Sequence, residues 1–290
     1  GEWTLRRSGI VQTKNGYMKR IVWLCSCVLL LFSSCATLNV THPGLGRVKK
    51  YDFAHKDVPA SFNGFTIAFI SDLHYKSKFT EKRLRGLVKT INKLHPDLLL
   101  MGGDYQEGCQ FVNELCACLS DIKTPYGTLG VMGNNDYERC YDDIVNGMRT
   151  HGIRILEHEL DTVRKENSRI IIAGVRNPFD LQANGVSPSS NLSPDDFVIL
   201  LTHTPDYAEQ VPIPNSDLVL AGHTHGGQVT LFGLYAPVVP SAYGQRFRSG
   251  LRHTTAGIPV IITNGIGTSR KSVRLFAPSE VVLIRLVALQ

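Results

Sequence analysis

The sequence predicts an α/β fold in which two mixed β-sheets stack between layers of helix. Three observations point to it. Apolar, β-prone runs alternate with amphipathic helical stretches as far as residue 150. Beyond that point strand-like runs follow one another mostly through loops. Several of these runs, on both sides of that point, end in a short cluster of polar side chains able to hold a metal. The first pattern gives parallel βαβ units with right-handed crossovers, and sheets of that kind bind ligands beyond the carboxyl ends of their strands.

Taken in order, an edge strand is expected near Arg47 to Phe53 within a linker that covers residues 36–63. The α/β alternation follows as strand 65–71, helix 80–94, strand 97–101, helix 110–122, strand 127–132 and helix 137–150. Helix 80–94 places Leu84, Leu87, Val88, Ile91 and Leu94 on one face, the spacing of a buried stripe. Further strands are expected near 153–157, 169–175, 197–202, 217–221, 228–232, 259–264 and 280–287. Gly174 to Pro194 is rich in Asn, Pro, Ser and Gly and reads as a surface excursion over the pocket.

Of 290 residues, 43% are apolar and 19% charged, ordinary values for a globular protein. The net charge of +6 is unevenly placed. The first 50 residues hold eight basic side chains against Glu2, whereas the remainder has 23 basic and 24 acidic ones. A nearly neutral body gives no reason to expect a nucleic-acid surface. Residues 1–17 read as a non-native or mis-called leader, with Met18 as the start. Lys19 and Arg20, the apolar stretch Ile21 to Phe32 and Cys35 then form a secretory signal over 18–35. That stretch is too short for a membrane span, which needs about 20 residues.

Phe32-Ser33-Ser34-Cys35 resembles a bacterial lipoprotein signal, with Cys35 as the acylated residue. The expectation is a periplasm-facing lipoprotein held to the membrane at its N-terminus. The alternative is an uncleaved inner-membrane anchor with the domain facing the cytoplasm. Four cysteines remain in the body. Cys116 and Cys118 diverge on a helix and do not bridge easily, while Cys109 and Cys140 are either a disulfide or two buried thiols. No C-x-x-C pair supports a structural zinc ribbon.

The polar clusters carry the chemistry. They are Asp72-Leu73-His74, Gly103-Asp104, Gly133-Asn134-Asn135-Asp136, Thr202-His203 and Gly222-His223-Thr224-His225. Asp72 and His74, two apart at a strand end, point the same way and chelate one cation. Asp104, after two glycines, is placed to bridge two cations, and Asn134 offers a neutral carbonyl oxygen. His203, His223 and His225 complete the donors, a mixture of imidazole and carboxylate that suits Mn, Fe or Zn. Asp136 is expected to cap the helix near Tyr137, the segment Gly265-Ile266-Gly267-Thr268 to form a tightly packed turn beside the site, and Arg274 to lie on the surface.

Through these motifs the chain resembles the calcineurin-like metallophosphoesterase superfamily over residues 64–287, and is most similar to its bacterial membrane-associated branch. The resemblance implies a four-layer αββα sandwich. It also implies two divalent metal ions, the first held by Asp72, His74, Asp104 and His225, the second by Asp104, Asn134, His203 and His223. Two such ions lower the pKa of a shared water and clamp phosphoryl oxygens, so the implied reaction is hydrolysis of a phosphate ester or anhydride by a metal-bridging hydroxide. The substrate expected is a phosphorylated small molecule or a lipid-linked one.

One position departs from the family pattern, which has histidine where this chain has Asn135. An amide donates a hydrogen bond but cannot act as a general acid at neutral pH, so good leaving groups should be favoured. His151, His158 and His253 are candidate substitutes. Two alternatives accompany the phosphoesterase reading. One is pyrophosphate hydrolysis of UDP-2,3-diacylglucosamine in lipid A synthesis, as in some relatives of that branch. The other is a metal-binding lipoprotein without turnover.

Overall fold

Why the strands were readable is clearest in β3, Leu98–Met101, where alternate side chains serve different cores. Leu99 and Met101 face the helices, while Leu98 and Leu100 face the second sheet. A strand buried on both faces is a continuous apolar run, with the period of two hidden in its packing. The computed structural model describes residues 46–76 and 79–289. The expected leader at 1–17, the signal at 18–35 and Cys35 lie outside the described residues.

The first sheet has six strands in the order β1-β12-β2-β3-β4-β5. These are β1 Arg47–His55, β2 Thr66–Ile70, β3, β4 Thr128–Gly130, β5 Arg154–Ile155 and β12 Glu280–Ala288. The second sheet has the order β10-β11-β9-β8-β7-β6. It comprises β6 Leu160–Lys165, β7 Ser168–Gly174, β8 Val198–Leu201, β9 Leu218–Ala221, β10 Gly250–His253 and β11 Pro259–Ile262. Both sheets are mixed: β2 to β5 run parallel but β12 pairs antiparallel with β2, and β6 and β10 run antiparallel to their neighbours.

Three apolar cores separate four layers. Helices Glu81–Leu94, Val112–Leu119 and Tyr141–Thr150 cover the outer face of the first sheet through Leu84, Leu87, Ile91, Leu115 and Ile144. Phe69, Leu100, Ile172, Ile199, Leu220 and Ile284 fill the space between the sheets. Tyr207, Ala208 and Phe247 cover the outer face of the second sheet. The four-layer α/β sandwich is therefore the architecture of this chain. Leu100→Ala opens a cavity between the sheets and should destabilise the domain by about 2–5 kcal/mol, read from the denaturant midpoint at constant m-value.

Two expected elements differ. Residues 228–232 do not form a strand: only the bridges Val229 to Leu275 and Leu231 to Tyr235 are present. Positive φ at Gln228 and Phe232 interrupts the extended backbone that their apolar neighbours suggest. The helix expected at 137–150 is two, Asn134–Glu138 and Tyr141–Thr150, because Arg139 is extended and Cys140 is left-handed. Cys140 is disulfide-bonded to Cys109 with a Cα–Cα distance of 5.2 Å, while Cys116 and Cys118 are buried free thiols. Among the described residues no helix is long and apolar enough to cross a membrane.

Candidate metal centre

Each cluster sits where the backbone leaves a strand. Asp72, His74, Asp104, His223 and His225 all have positive φ, between 44° and 68°. Such a conformation costs of order 1 kcal/mol or more per residue and persists only when its surroundings fix it. Here the fixing contacts are backbone hydrogen bonds between the loops. Asp72 N–H donates to the Gly103 carbonyl at 2.8 Å, His74 N–H to Asp104 at 3.0 Å and Gly222 N–H to His203 at 2.9 Å. Gly267 N–H donates to the Asp72 carbonyl at 2.7 Å, so segment 265–268 is indeed a turn packed against the site.

Two triads result. The ligating atoms of Asp72, His74 and His225 lie within 4.8 Å of one another, as do those of Asp104, His203 and His223. Within the triads His74 Nε2 stands 3.2 Å from His225 Nε2, and His203 Nε2 stands 3.2 Å from His223 Nδ1. Asp104 joins them: its Oδ2 is 3.6 Å from His74 Nε2 and 3.5 Å from His203 Nε2. The outer nitrogens of two rings are held from behind. His203 Nδ1 meets the Gly102 carbonyl at 2.7 Å and His74 Nδ1 meets Glu107 Oε1 at 2.6 Å. With the proton on Nδ1, each ring aims its Nε2 lone pair inward.

Electrostatics follow from packing these groups together out of water. Burial pushes the Asp72 carboxyl up, and Asp104 pushes it further. Burial acts the same way on Asp104, but His203, His74 and His223 outweigh it and hold that carboxyl below its usual range. At His203 burial favours the neutral ring, yet Asp104 and Asp72 prevail and raise it to about 9. Burial and the neighbouring His203 drive His223 down to about 3, and burial with His74 takes His225 well below the ordinary value.

The donor set fits a divalent cation, and one atom makes the point. Asn134 Oδ1 is buried without any hydrogen-bond partner, while its Nδ2 donates to Asn135 Oδ1 at 3.2 Å. A buried carbonyl oxygen left unpaired is costly, and a cation would satisfy it. Two carboxylates, four imidazoles and this amide oxygen are the residue types that bind Mn, Fe or Zn. Six of the seven candidate ligand residues picked out by their motifs thus fall in the two triads, and Asn134 is bonded to Asn135, whose backbone N–H meets Asp104.

Three further residues carry more than their sequence positions suggested. Asp136 lies inside helix Asn134–Glu138 and accepts from the N–H groups of Gly133, Asp104 and Tyr105 at 2.9, 2.7 and 3.0 Å. It does cap a helix, but one that starts three residues earlier than expected, and it also clamps the Asp104 loop. Burial, with Asp104 beside it, raises its carboxyl to about 7. Arg274 is not a surface residue. It reaches inward, donating to the carbonyls of His225 at 3.0 Å, Asn264 at 2.7 Å and Ala277 at 3.1 Å. Burial lowers it to about 10, with Asp72 opposing that shift. Glu107, which supports His74, was missed; the spacing Asp104-x-x-Glu107 was its only trace.

Asn135 N–H donates to Asp104 Oδ1 at 3.0 Å, and its side-chain amide lies 3.2 Å from His74 Nδ1 and 3.4 Å from Glu107 Oε1. The suggested substitutes have other partners: His151 faces Asn113, and His158 meets Val186 and Arg176. His253 sits on β10 at the edge of the second sheet. The excursion 174–194 does reach the site, for the Phe179 ring stands 5.0 Å from that of His223 and 6.1 Å from that of His203. Gly133 admits no side chain, since a Cβ would collide with Asp104 Oδ1 and come within 2.7 Å of Asp104 N. Gly133→Ala should lower kcat/KM about 10²-fold by displacing Asp104, with the melting temperature as the check that the fold survives.

Residues 65–227 match the family model described as calcineurin-like phosphoesterase. The chain belongs to this family. Among relatives, a metallophosphoesterase of Bacillus subtilis, YkuE, is 29% identical, covering 79% of this chain and 81% of its own. The phosphodiesterase YaeI of Escherichia coli is 27% identical over 93% of this chain and 98% of its own. A solved 5'-nucleotidase precursor from Thermus thermophilus superposes with a TM-score of 0.43 at 12% identity, covering 76% of this chain and 54% of that one. A member of the calcineurin-like family is a hydrolase of phosphate esters, and the family implies divalent metal ions.

Proposed function

We propose that this phosphoesterase holds two divalent cations, Mn, Fe or Zn, and hydrolyses phosphodiesters or phosphoric anhydrides whose leaving groups need no protonation. Asp72, His74 and His225 would hold one cation, and Asn134, His203 and His223 the other, with Asp104 shared. The position of Asp104 Oδ2 between His74 and His203, at 3.6 and 3.5 Å, carries this reading. Bound there, the cations supply Lewis acidity toward water and the phosphoryl oxygens.

The chain's own residues do the rest. Glu107 holds the His74 proton on Nδ1, and the Gly102 carbonyl does the same for His203, so both rings keep their orientation through turnover. Asn135 fixes Asp104 through its backbone N–H and leaves its side-chain amide at the rim as a hydrogen-bond donor. Phe179 shields one edge of the second triad from water. The diester preference is supported by the name of the E. coli relative, a phosphodiesterase. A membrane-tethered domain facing the periplasm, acting on a phosphorylated small molecule or a lipid-linked substrate, completes the proposal; the signal-like residues 18–35 support it.

The test is a panel of monoesters, diesters and nucleotide-sugar anhydrides, assayed with the full chain after chelator stripping and again after adding Mn, Fe or Zn singly. Turnover should vanish on stripping and return with at least one ion, highest on aryl diesters or anhydrides. Activity indifferent to chelation would refute the reading.

A further inference from the structure

We propose that loop 229–238, with the adjoining turn 270–273, is a docking surface for a membrane whose lipid headgroups carry negative charge. Leu231, Leu234, Tyr235 and Val238 are each more than half exposed, Leu234 at 82% and Val238 at 72%, and Val273 beside them is 54% exposed. Large apolar side chains gathered in this way on a surface mark an interaction site.

The loop is held in shape by its neighbours. Thr230 N–H donates to the Leu275 carbonyl at 3.0 Å, and Leu231 N–H closes the turn on Tyr235 at 2.7 Å. Arg248 donates to the Gly233 carbonyl at 2.8 Å, and the Gln228 side-chain amide ties Ser269 and Lys271 to the loop's base. The apolar tips are therefore presented on a supported frame.

Charge selects the occupant. Between Asp217 and Glu280 the sequence contains no acidic residue, yet it carries Arg246, Arg248, Arg252, Arg270, Lys271 and Arg274. The rest of the chain beyond residue 50 has 17 basic and 24 acidic side chains, so the excess is confined to this stretch. Among the described residues only Arg246 of the six is ion-paired, to Glu209. Arg274 is turned inward, but Arg248 bonds the loop and Arg270 and Lys271 are exposed on the adjoining turn. Cations beside apolar tips suit an anionic lipid surface, where the side chains enter the acyl boundary and the cations meet headgroups.

The chain path agrees. Gly46 N–H donates to Ser279 Oγ at 3.0 Å, and Arg47 N–H to the Ser279 carbonyl at 2.9 Å. Three residues before Ser279 lies Phe276, whose ring packs 5.5 Å from that of Phe232 in the loop. Gly46 and Arg47, which open the described residues, are thus bonded three positions from the residue that packs on this loop. The loop also begins four residues after His225, so docking there brings the triads to the lipid surface, though the proposal does not depend on how they bind metal.

Hydrogen–deuterium exchange of the full chain tests it, with vesicles of phosphatidylcholine alone or of an equimolar mixture with phosphatidylglycerol. Amides 231–238 should exchange about tenfold more slowly with the anionic vesicles than with the neutral ones, and high salt should weaken the effect. The double variant Arg270→Glu, Lys271→Glu should abolish the difference, as should Leu234→Ser, while exchange in β3 reports that the fold is intact. Unchanged exchange with vesicles, equal slowing by both lipids, or slowing on concentrating the protein without lipid would each overturn the proposal.

Discussion

Asp104→Ala is expected to lose at least about 10³-fold in kcat/KM, the scale on which a group acting directly on transition-state charge is felt. Bound metal, measured by inductively coupled plasma mass spectrometry, should fall with it. The carboxylate stands between His74 and His203, so its removal leaves the triad Asp72, His74 and His225 and the pair His203 and His223 with nothing in common. The loop should survive the change. Asp136 holds the Asp104 backbone N–H at 2.7 Å, and the Asp104 carbonyl still receives the His74 N–H at 3.0 Å. What disappears is the acceptor for Asn135 N–H and the shared oxygen. Asp136→Ala supplies the contrast, because it removes three backbone contacts rather than a ligand and should act on stability as well as on rate. An Asp104→Ala enzyme that keeps both turnover and metal would remove the basis for a joined centre.

The parts of the fold that could be read from residue order are those whose burial leaves no ambiguity. Strands such as β3, β8 and β9 lie inside their sheets with every residue buried, so their apolar runs stood out. Strands β6 and β10 did not, because each lies at a sheet edge with one face in water and shows a mixed pattern, including Leu160 and Leu251 on the exposed side. The candidate ligands were equally visible, since each follows a strand end and its type is dictated by metal chemistry. Residues that act on those ligands were not. Arg274 looks like any exposed arginine until the loop 265–277 is folded back, whereupon its guanidinium lies among four backbone carbonyls. Glu107 and Asp136 likewise acquire their roles from the path of the chain rather than from spacing. The residues 228–232 show the opposite failure. Their composition is that of a strand, but positive φ values at both ends turn them into the exposed loop described above.

Asn135 should set the substrate range. Aryl phosphodiesters are expected to be hydrolysed about 10²–10⁴-fold faster than alkyl ones, the factor a general acid normally contributes. The expelled alkoxide needs a proton in the transition state, whereas a phenolate or a phosphate leaves without one. The side chain at this position meets His74 and Glu107, so a donor is present but not a proton source, and no histidine considered as a substitute takes its place. Asn135→His should therefore raise alkyl-ester turnover more than aryl-ester turnover and narrow the gap, with metal content unchanged. The comparison of the two ester series separates this effect from a general loss of activity, because a misplaced Asp104 would slow both alike. Equal rates for alkyl and aryl diesters in the unaltered protein would show that another group protonates the leaving oxygen. In that event Glu107, 3.4 Å from the Asn135 amide and partly exposed at the rim, is the first residue to replace.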